Sequence, residues 1–585
     1  MKKKISLVLL GLLLIVSLFL TACTKSPSDT TEPDTTDTEQ ASEEEAEDLS
    51  TQVAGEDGWI RATDKSKIPA SSKKRTDTII VGMGETQGIF NPIFYSTTYD
   101  RYVNDVLFSK LVEVDLDGGY IPAIAKSWDI SEDGLTYTFH LRDDVHFSDG
   151  TPLTAKDVEF TYHVYLDPTY DGQSDLSKAV IKGTDAYKNG DAERIEGITI
   201  VDDHTIQIDV EESRSPTLGL IGALGIVPKH YYGENYSKGN LSHMQSLHQK
   251  PLGSGAYVFE RYIPGQEVRL VANEAYWKGA PNIKNLIFKS TTNETDIQMI
   301  QTGETDFEEG ISVNRDNVDL LKTFGFVDMN LLPNNGYGYI AFNHNLPKFQ
   351  DKRVRQALTY GLNREDIVYA VFQEYADVLN IPQSRVSWAY PAEEDINQYE
   401  FDLEKANALL DEAGWEVGSD GYRYKDGEKF VIYFAATSPN VVNDAIIPYA
   451  TESYKELGIE FIPEQLEFNA VVQKKQSGDF DMLFLAWGLT NEPDPTNLFH
   501  TTGSQNDLGY SNPEADRLME AGLKELDREK LKQIYHELYQ VLNDDLPYIF
   551  MYQRYNMNTI NSRIQGFDFS PYRYFSESIY MAEME

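Results

Sequence analysis

A single cysteine, Cys23, stands at the end of an apolar run near the start of 585 residues, and no other thiol follows it. A disulfide framework, a cysteine-based zinc site and thiol catalysis are thereby excluded downstream, so the fold has to be held by buried apolar surface. The chain can supply that surface. Hydrophobic residues make up 41% and aromatics 12%, and the length corresponds to roughly two to four domains of ordinary size. Charge narrows the partners further: 51 Lys+Arg against 94 Asp+Glu gives a formal -43. Nucleic acid is excluded on that ground, because phosphate binding draws its affinity from basic surface.

Lys2, Lys3 and Lys4 precede an apolar run from Ile5 to Leu20. The run falls short of the roughly 20 residues that span a bilayer core, so it reads as an export signal and not as a permanent span. Leu20-Thr21-Ala22-Cys23 resembles the lipobox of bacterial lipoproteins, which implies a signal peptide over 1–22, a lipid on Cys23 and a body held at the extracellular face of the cell membrane. Residues 24–58 hold twelve acidic residues and one lysine with little to bury, so the segment cannot repay its ordering entropy. Arg61, Lys65, Lys67, Lys73, Lys74 and Arg75 then reverse the charge. Residues 23–75 read as a disordered acidic tether whose basic end is a solvated linker, with a reach of ~40 Å.

Residues 1–23, 24–58 and 59–75 carry +3, -11 and +5, which leaves -40 on 76–585; the anionic character belongs to the folded body. Alternating runs at Tyr137 to Leu141 and Thr205 to Val210 predict half-buried strands, with turns at Glu132-Asp133-Gly134 and Ser148-Asp149-Gly150. Leu403, Ala406, Leu409, Leu410 and Ala413 have helical spacing between an Asp402 N-cap and Gly414. Further helices are predicted from Asp351 to Leu362 and from Arg528 to Leu542. The mixture, without strict alternation or a fixed repeat, is α/β in several segments.

Catalytic motifs do not survive inspection. Gly82, Gly84 and Gly88 miss the dinucleotide spacing by one residue, Gly253-Ser254-Gly255 lacks the nucleophile-elbow spacing, and His536-Glu537-Leu538-Tyr539-Gln540 has glutamine where a zinc helix needs its second histidine. Asp115-Leu116-Asp117-Gly118 brings its glycine too early for a calcium loop and reads as a tight turn. A surface-tethered hydrolase is unsupported. No cofactor and no metal site are expected.

Specificity enters at Ala125-Lys126-Ser127-Trp128-Asp129 through Leu141-Arg142, followed by Val145-His146-Phe147-Ser148-Asp149-Gly150-Thr151-Pro152-Leu153-Thr154-Ala155-Lys156-Asp157-Val158. This string resembles the signature of bacterial extracellular solute-binding proteins, family 5, the oligopeptide- and dipeptide-binding group. The resemblance continues through Pro251 to Tyr257, Asn273 to Gly279, Asp351 to Leu358, Leu409 to Trp415, Trp487 to Pro495, Tyr510 to Asp516 and Asp545 to Tyr548. It covers nearly all of 76–585, in order.

The resemblance implies a bilobal periplasmic-binding-protein-like fold (class II, cluster C) with an extra domain. Lobe I would comprise 76–118, 250–335 and 547–585, the insertion 119–249, and lobe II 336–546. It implies a membrane-tethered receptor that captures oligopeptides between its lobes and delivers them to the permease subunits of an ABC importer, as a monomer. A receptor of the same fold for a metal chelate, haem or an oligosaccharide is the alternative, and a surface chaperone is a more distant one. Peptide main chain can be bound as an added strand, while the free ammonium calls for a carboxylate. Relatives place that acid in the loop after a tryptophan. Here the loop reads Trp487-Gly488-Leu489-Thr490-Asn491-Glu492-Pro493-Asp494-Pro495, with Thr490 or Asn491 where some members carry aspartate. Glu492 is therefore the expected ammonium partner. Asp494 stands next, either as a ligand or fixing the Asp-Pro turn, and Trp487 is either a cleft wall or core. Asn334, Asn335, Gly336 and Tyr337 lie at the predicted lobe crossing as main-chain partners, and Glu85 to Phe90 are expected to line the cleft from lobe I. Arg353 and Arg355 are assigned to a structural helix, which leaves the carboxylate partner unassigned.

Overall fold

The computed structural model describes residues 58–566 and 568–585. The expected signal segment, Cys23 and the acidic part of the tether lie outside the described residues. Among the described residues no helix is long and apolar enough to cross a membrane.

Two large apolar cores organise the molecule. The first gathers Ile79, Val81, Leu286 and Phe288 from adjacent strands together with Tyr137, Phe139, Ile206 and Ile208 from a separate four-stranded antiparallel sheet. The second gathers Tyr339, Phe342, Phe434, Leu483 and Phe550 with the helices that cover them. A smaller third cluster, around Val318, Leu321 and Met329, flanks the main sheet. Strand Thr78–Met83 sits between parallel neighbours, Asn285–Ser290 and Phe307–Glu308; its Ile79 and Val81 are buried and Ile80 between them half-buried, which suits a strand covered on both faces.

One element ties the two large cores together. Strand Tyr548–Asn561 pairs antiparallel with Gly336–Phe342 through its first half, Ile549 opposite Ile340, and with Val327–Pro333 through its second, Tyr555 opposite Pro333 and Asn561 opposite Val327. The chain passes from one half of the molecule to the other at Asn334-Asn335, between Val327–Pro333 and Gly336–Phe342, and returns inside the long strand. There the Gln553 amide, fully buried, donates to Asn334 O at 2.6 Å and to Ser384 Oγ at 2.6 Å, while Asn334 N–H donates to Arg554 O at 2.8 Å.

Local signals explain the supporting elements. Thr154 and Asp157 close a capping box at helix Ala155–Tyr165. Asp402 accepts from Lys405 N–H at 2.9 Å to open Leu403–Glu412, which ends before Gly414 at φ +85. Arg355 is buried on helix Lys352–Tyr360 and pairs with Asp545 at 2.5 Å.

One expectation is corrected. Residues 58–75 do not end a disordered tether: Trp59–Ile60 pairs with Met329 and Asn330, Ala62 N–H donates to Asp328 at 2.7 Å, and Ala70–Lys73 is helical. Arg75 reaches the fully buried Asp306 at 2.8 Å, beside Arg563 at 2.9 Å. The positive charge that reads as a solvated linker end in the sequence is, in Arg75, the partner of a buried carboxylate 231 residues away. No local pattern carries a pairing of that range.

Candidate ligand-binding cleft

Between the two cores lies a cavity of about 700 Å³, within the range usual for ligand sites. Its second-core wall is built where two strand ends meet. Gly336 opposes Gly488 and Tyr337 opposes Trp487. A Cβ on Gly336 would stand 2.5 Å from Trp487 O and 2.8 Å from Asn334 Oδ1, so only glycine lets the crossing segment approach the loop so closely. Leu489 N–H then donates to Asn335 O at 2.9 Å, and the Asn335 amide returns to Leu489 O at 3.3 Å and Thr490 O at 3.2 Å.

The loop beyond is pinned. Thr490 Oγ1 donates to Glu492 O at 2.9 Å, Tyr539 OH donates to Pro493 O at 2.6 Å, and Asp494 accepts from Thr496 N–H at 3.0 Å and its hydroxyl at 2.5 Å. Glu492 is presented from this fixed loop to the Tyr120 hydroxyl, which comes from the opposite wall and hydrogen-bonds the carboxylate. Gly219 makes room for Tyr120, since a Cβ there would meet its hydroxyl at 2.0 Å. Burial pushes the Glu492 carboxyl above its ordinary range, with the Tyr120 bond and the Arg528 charge opposing.

The first-core wall adds both signs of charge. Glu309 follows strand Phe307–Glu308, accepts from Tyr102 OH at 2.6 Å, and is likewise raised by burial. Arg101, on helix Thr98–Leu107, is held 3.7 Å from Asp105 and lies 4.3 Å from the Tyr574 ring centroid. Arg573 donates through Nη2 to Glu577 O at 3.1 Å, and its buried Nε has no hydrogen-bond partner among the described residues. Outside the lining residues, Ser215 N–H donates to Leu523 O at 2.8 Å and Arg528 lies 3.6 Å from Asp117.

Of the candidates read from sequence, Asn334, Asn335, Thr490, Asn491 and Glu492 line this cavity together. Trp487 does not: its ring stacks on Tyr339 at 6.1 Å and 3° against the second core. Tyr337 is buried in that core, Gly336 serves the close approach, and Asp494 fixes the turn. The segment from Glu85 to Phe90 hangs on Asp100, which accepts from the N–H groups of Gln87, Gly88 and Ile89. Phe90 is buried, while Glu85 and Gln87 line a neighbouring cavity of about 420 Å³ that shares Glu309. Sequence reasoning missed Tyr120, Glu309, Arg101 and Arg573. None sits in a recognisable motif, and each becomes a site residue only when strands distant in sequence are brought together.

The model of bacterial extracellular solute-binding proteins, family 5, middle, matches residues 119–509, two thirds of the chain. The chain belongs to this family. As a family 5 solute-binding protein it is a bilobal receptor whose activity is the capture of a solute. It is 28% identical over 580 residues to the oligopeptide-binding protein AppA of Bacillus subtilis, covering 98% of this chain and 97% of that one. It is 28% identical over 507 residues to the heme-binding protein A of Haemophilus influenzae, covering 83% and 88%. The solved structure of Bacillus subtilis AppA in complex with a nonapeptide superposes with a TM-score of 0.65 at 26% identity, covering 87% of this chain and 99% of that one.

Proposed function

We propose that this receptor captures oligopeptides in the cavity between its cores and delivers them to an ABC importer, with Glu492 receiving the peptide ammonium and Arg573 the carboxylate. The carrying observation is that a cavity of about 700 Å³ is lined by carboxylates, guanidinium groups and asparagines at once. A zwitterionic chain of amides has the same complement of groups. The unpartnered Arg573 Nε supports its assignment, since a buried donor without an acceptor costs about 1–3 kcal/mol until a ligand supplies one. The relative named as an oligopeptide-binding protein, matched over almost its whole length, supports the ligand class. Binding, with no chemical step, is the whole activity.

The same reading makes the protein a monomer that meets permease subunits through its closed surface, held at the outer face of the membrane by a lipid on Cys23. Replacing Cys23 with serine should release the protein from membranes to the medium; retention in the membrane fraction would overturn the anchor. The haem-binding relative favours a second ligand class. Native mass spectrometry of the full chain, purified in mild detergent without refolding, decides between them. A ladder of peptide masses lost on denaturation is the expected result, and a single non-peptide mass would overturn the peptide assignment.

A further inference from the structure

Beyond Glu309 a second cavity of about 280 Å³ opens, lined by Met83, Tyr99, Thr291, Asn293, Glu294 and Asp296. Glu309 lines both this pocket and the main cavity, so the two adjoin at its carboxylate. Three acids face the pocket, and among its described lining residues there is no lysine, arginine or histidine. Arg101, a guanidinium that lines the main cavity, is turned to Asp105 and the Tyr574 ring.

The decisive group is Asp296. It is only 2% exposed and lines the pocket; the Thr291 side chain hydrogen-bonds its carboxyl, yet Oδ1 has no partner among the described residues. Leaving a carboxylate oxygen buried and unpaired is costly, and a cation supplied from outside removes that cost. Behind it stands Glu308, fully buried, which accepts from the Thr305 hydroxyl at 2.6 Å and is held in its neutral form by burial, so the charges that face a cation are those of Asp296 and Glu309. The Glu308 carboxyl fits only because position 82 is glycine, where a Cβ would lie 2.0 Å from Oε2. Tyr99 forms an aromatic wall, admitted by Gly84, where a Cβ would stand 2.3 Å from the ring. Carboxylates at the end, an aromatic face and the Met83 side chain beside it suit a cation on an apolar stem.

We propose that this pocket is a side-chain subsite for a basic residue of the bound peptide, with Asp296 and Glu309 pairing the ammonium or guanidinium and Tyr99 covering its stem. The inference rests on the peptide reading above. Calorimetry on the full chain, with peptides in which one position at a time is lysine or the uncharged norleucine, tests it. At one position lysine should bind about tenfold more tightly than norleucine, the worth of a desolvated ion pair at the low end of its range. Asp296→Asn should shrink that ratio to about threefold or less. Should Asp296→Asn fail to fold, Glu294→Lys, at an exposed position on the rim, should shrink the same ratio by placing a competing cation at the mouth. Equal binding of both peptides at every position overturns the subsite while leaving the peptide reading intact, and so does a preference that survives both substitutions. If no peptide binds, the peptide reading fails, and the subsite fails with it.

Discussion

Glu492, half-buried, and Glu308, fully buried, are both carboxyl groups raised by desolvation, yet their surroundings give them opposite uses. Glu492 faces the cavity with one hydroxyl partner, and burial raises its pKa above the ordinary 4.5. Only the ionised form attracts an ammonium group. Peptide affinity should therefore fall as pH is lowered through a midpoint above 4.5, and calorimetry across pH should show that fall flattened in Glu492→Gln. Glu492→Ala should weaken binding about tenfold or more at neutral pH without unfolding the protein; unchanged affinity would remove Glu492 from the mechanism. Glu308 is pushed up to about 8 by burial, with Asp296 adding to the effect. A carboxyl that keeps its proton longer in the folded state contributes stability fully present below its unfolded value of 4.5 and lost as pH rises through about 8. The midpoint of thermal unfolding should decline from about pH 5 to about pH 9, a loss of at most about 5 kcal/mol that Glu308→Gln abolishes.

At the scale of elements, what was legible followed from local chemistry. The strands at Thr136–Leu141 and Thr205–Asp209, the Asp402 cap and the helix from Arg528 all lie where alternation, spacing and capping residues indicate. The place of Glu492 on the cavity wall was legible because it sits in a continuous motif. Tyr120 and Arg573 were not, because each acts through strands and loops assembled from distant sequence. The same limit hid residues 58–75, whose value lies in the partners they reach. Starting the chain at Thr76 removes Arg75 from the buried Asp306 and strips Trp59–Ile60 from the sheet edge. Chemical denaturation of that shortened chain against one beginning at residue 24 should show a loss of roughly 2–4 kcal/mol. Gln553→Ala should cost about 1–3 kcal/mol in the same measurement, because Asn334 O loses its buried donor.

For the whole molecule, function depends on how the two halves meet. The Arg528–Asp117 pair, a contact between residues far apart in sequence, is half exposed, at 42% and 68%, so it is worth under about 1 kcal/mol. Arg528→Ala should therefore weaken ligand binding by about fivefold at most. Arg528→Glu, which sets two like charges across the gap, should also enlarge the radius of gyration of the ligand-free protein in X-ray scattering. Strand Tyr548–Asn561 imposes a different kind of order. It stands in the middle of the sheet, between Gly336–Phe342 and Phe307–Glu308, yet it follows in sequence every strand it pairs with. Until residue 548 onward has been synthesised, both halves lack their central neighbour and expose open strand edges to every other chain nearby. The sheet of the nascent chain therefore stays open until that strand emerges, which keeps the chain threadable up to that point and leaves it dependent on protection until then.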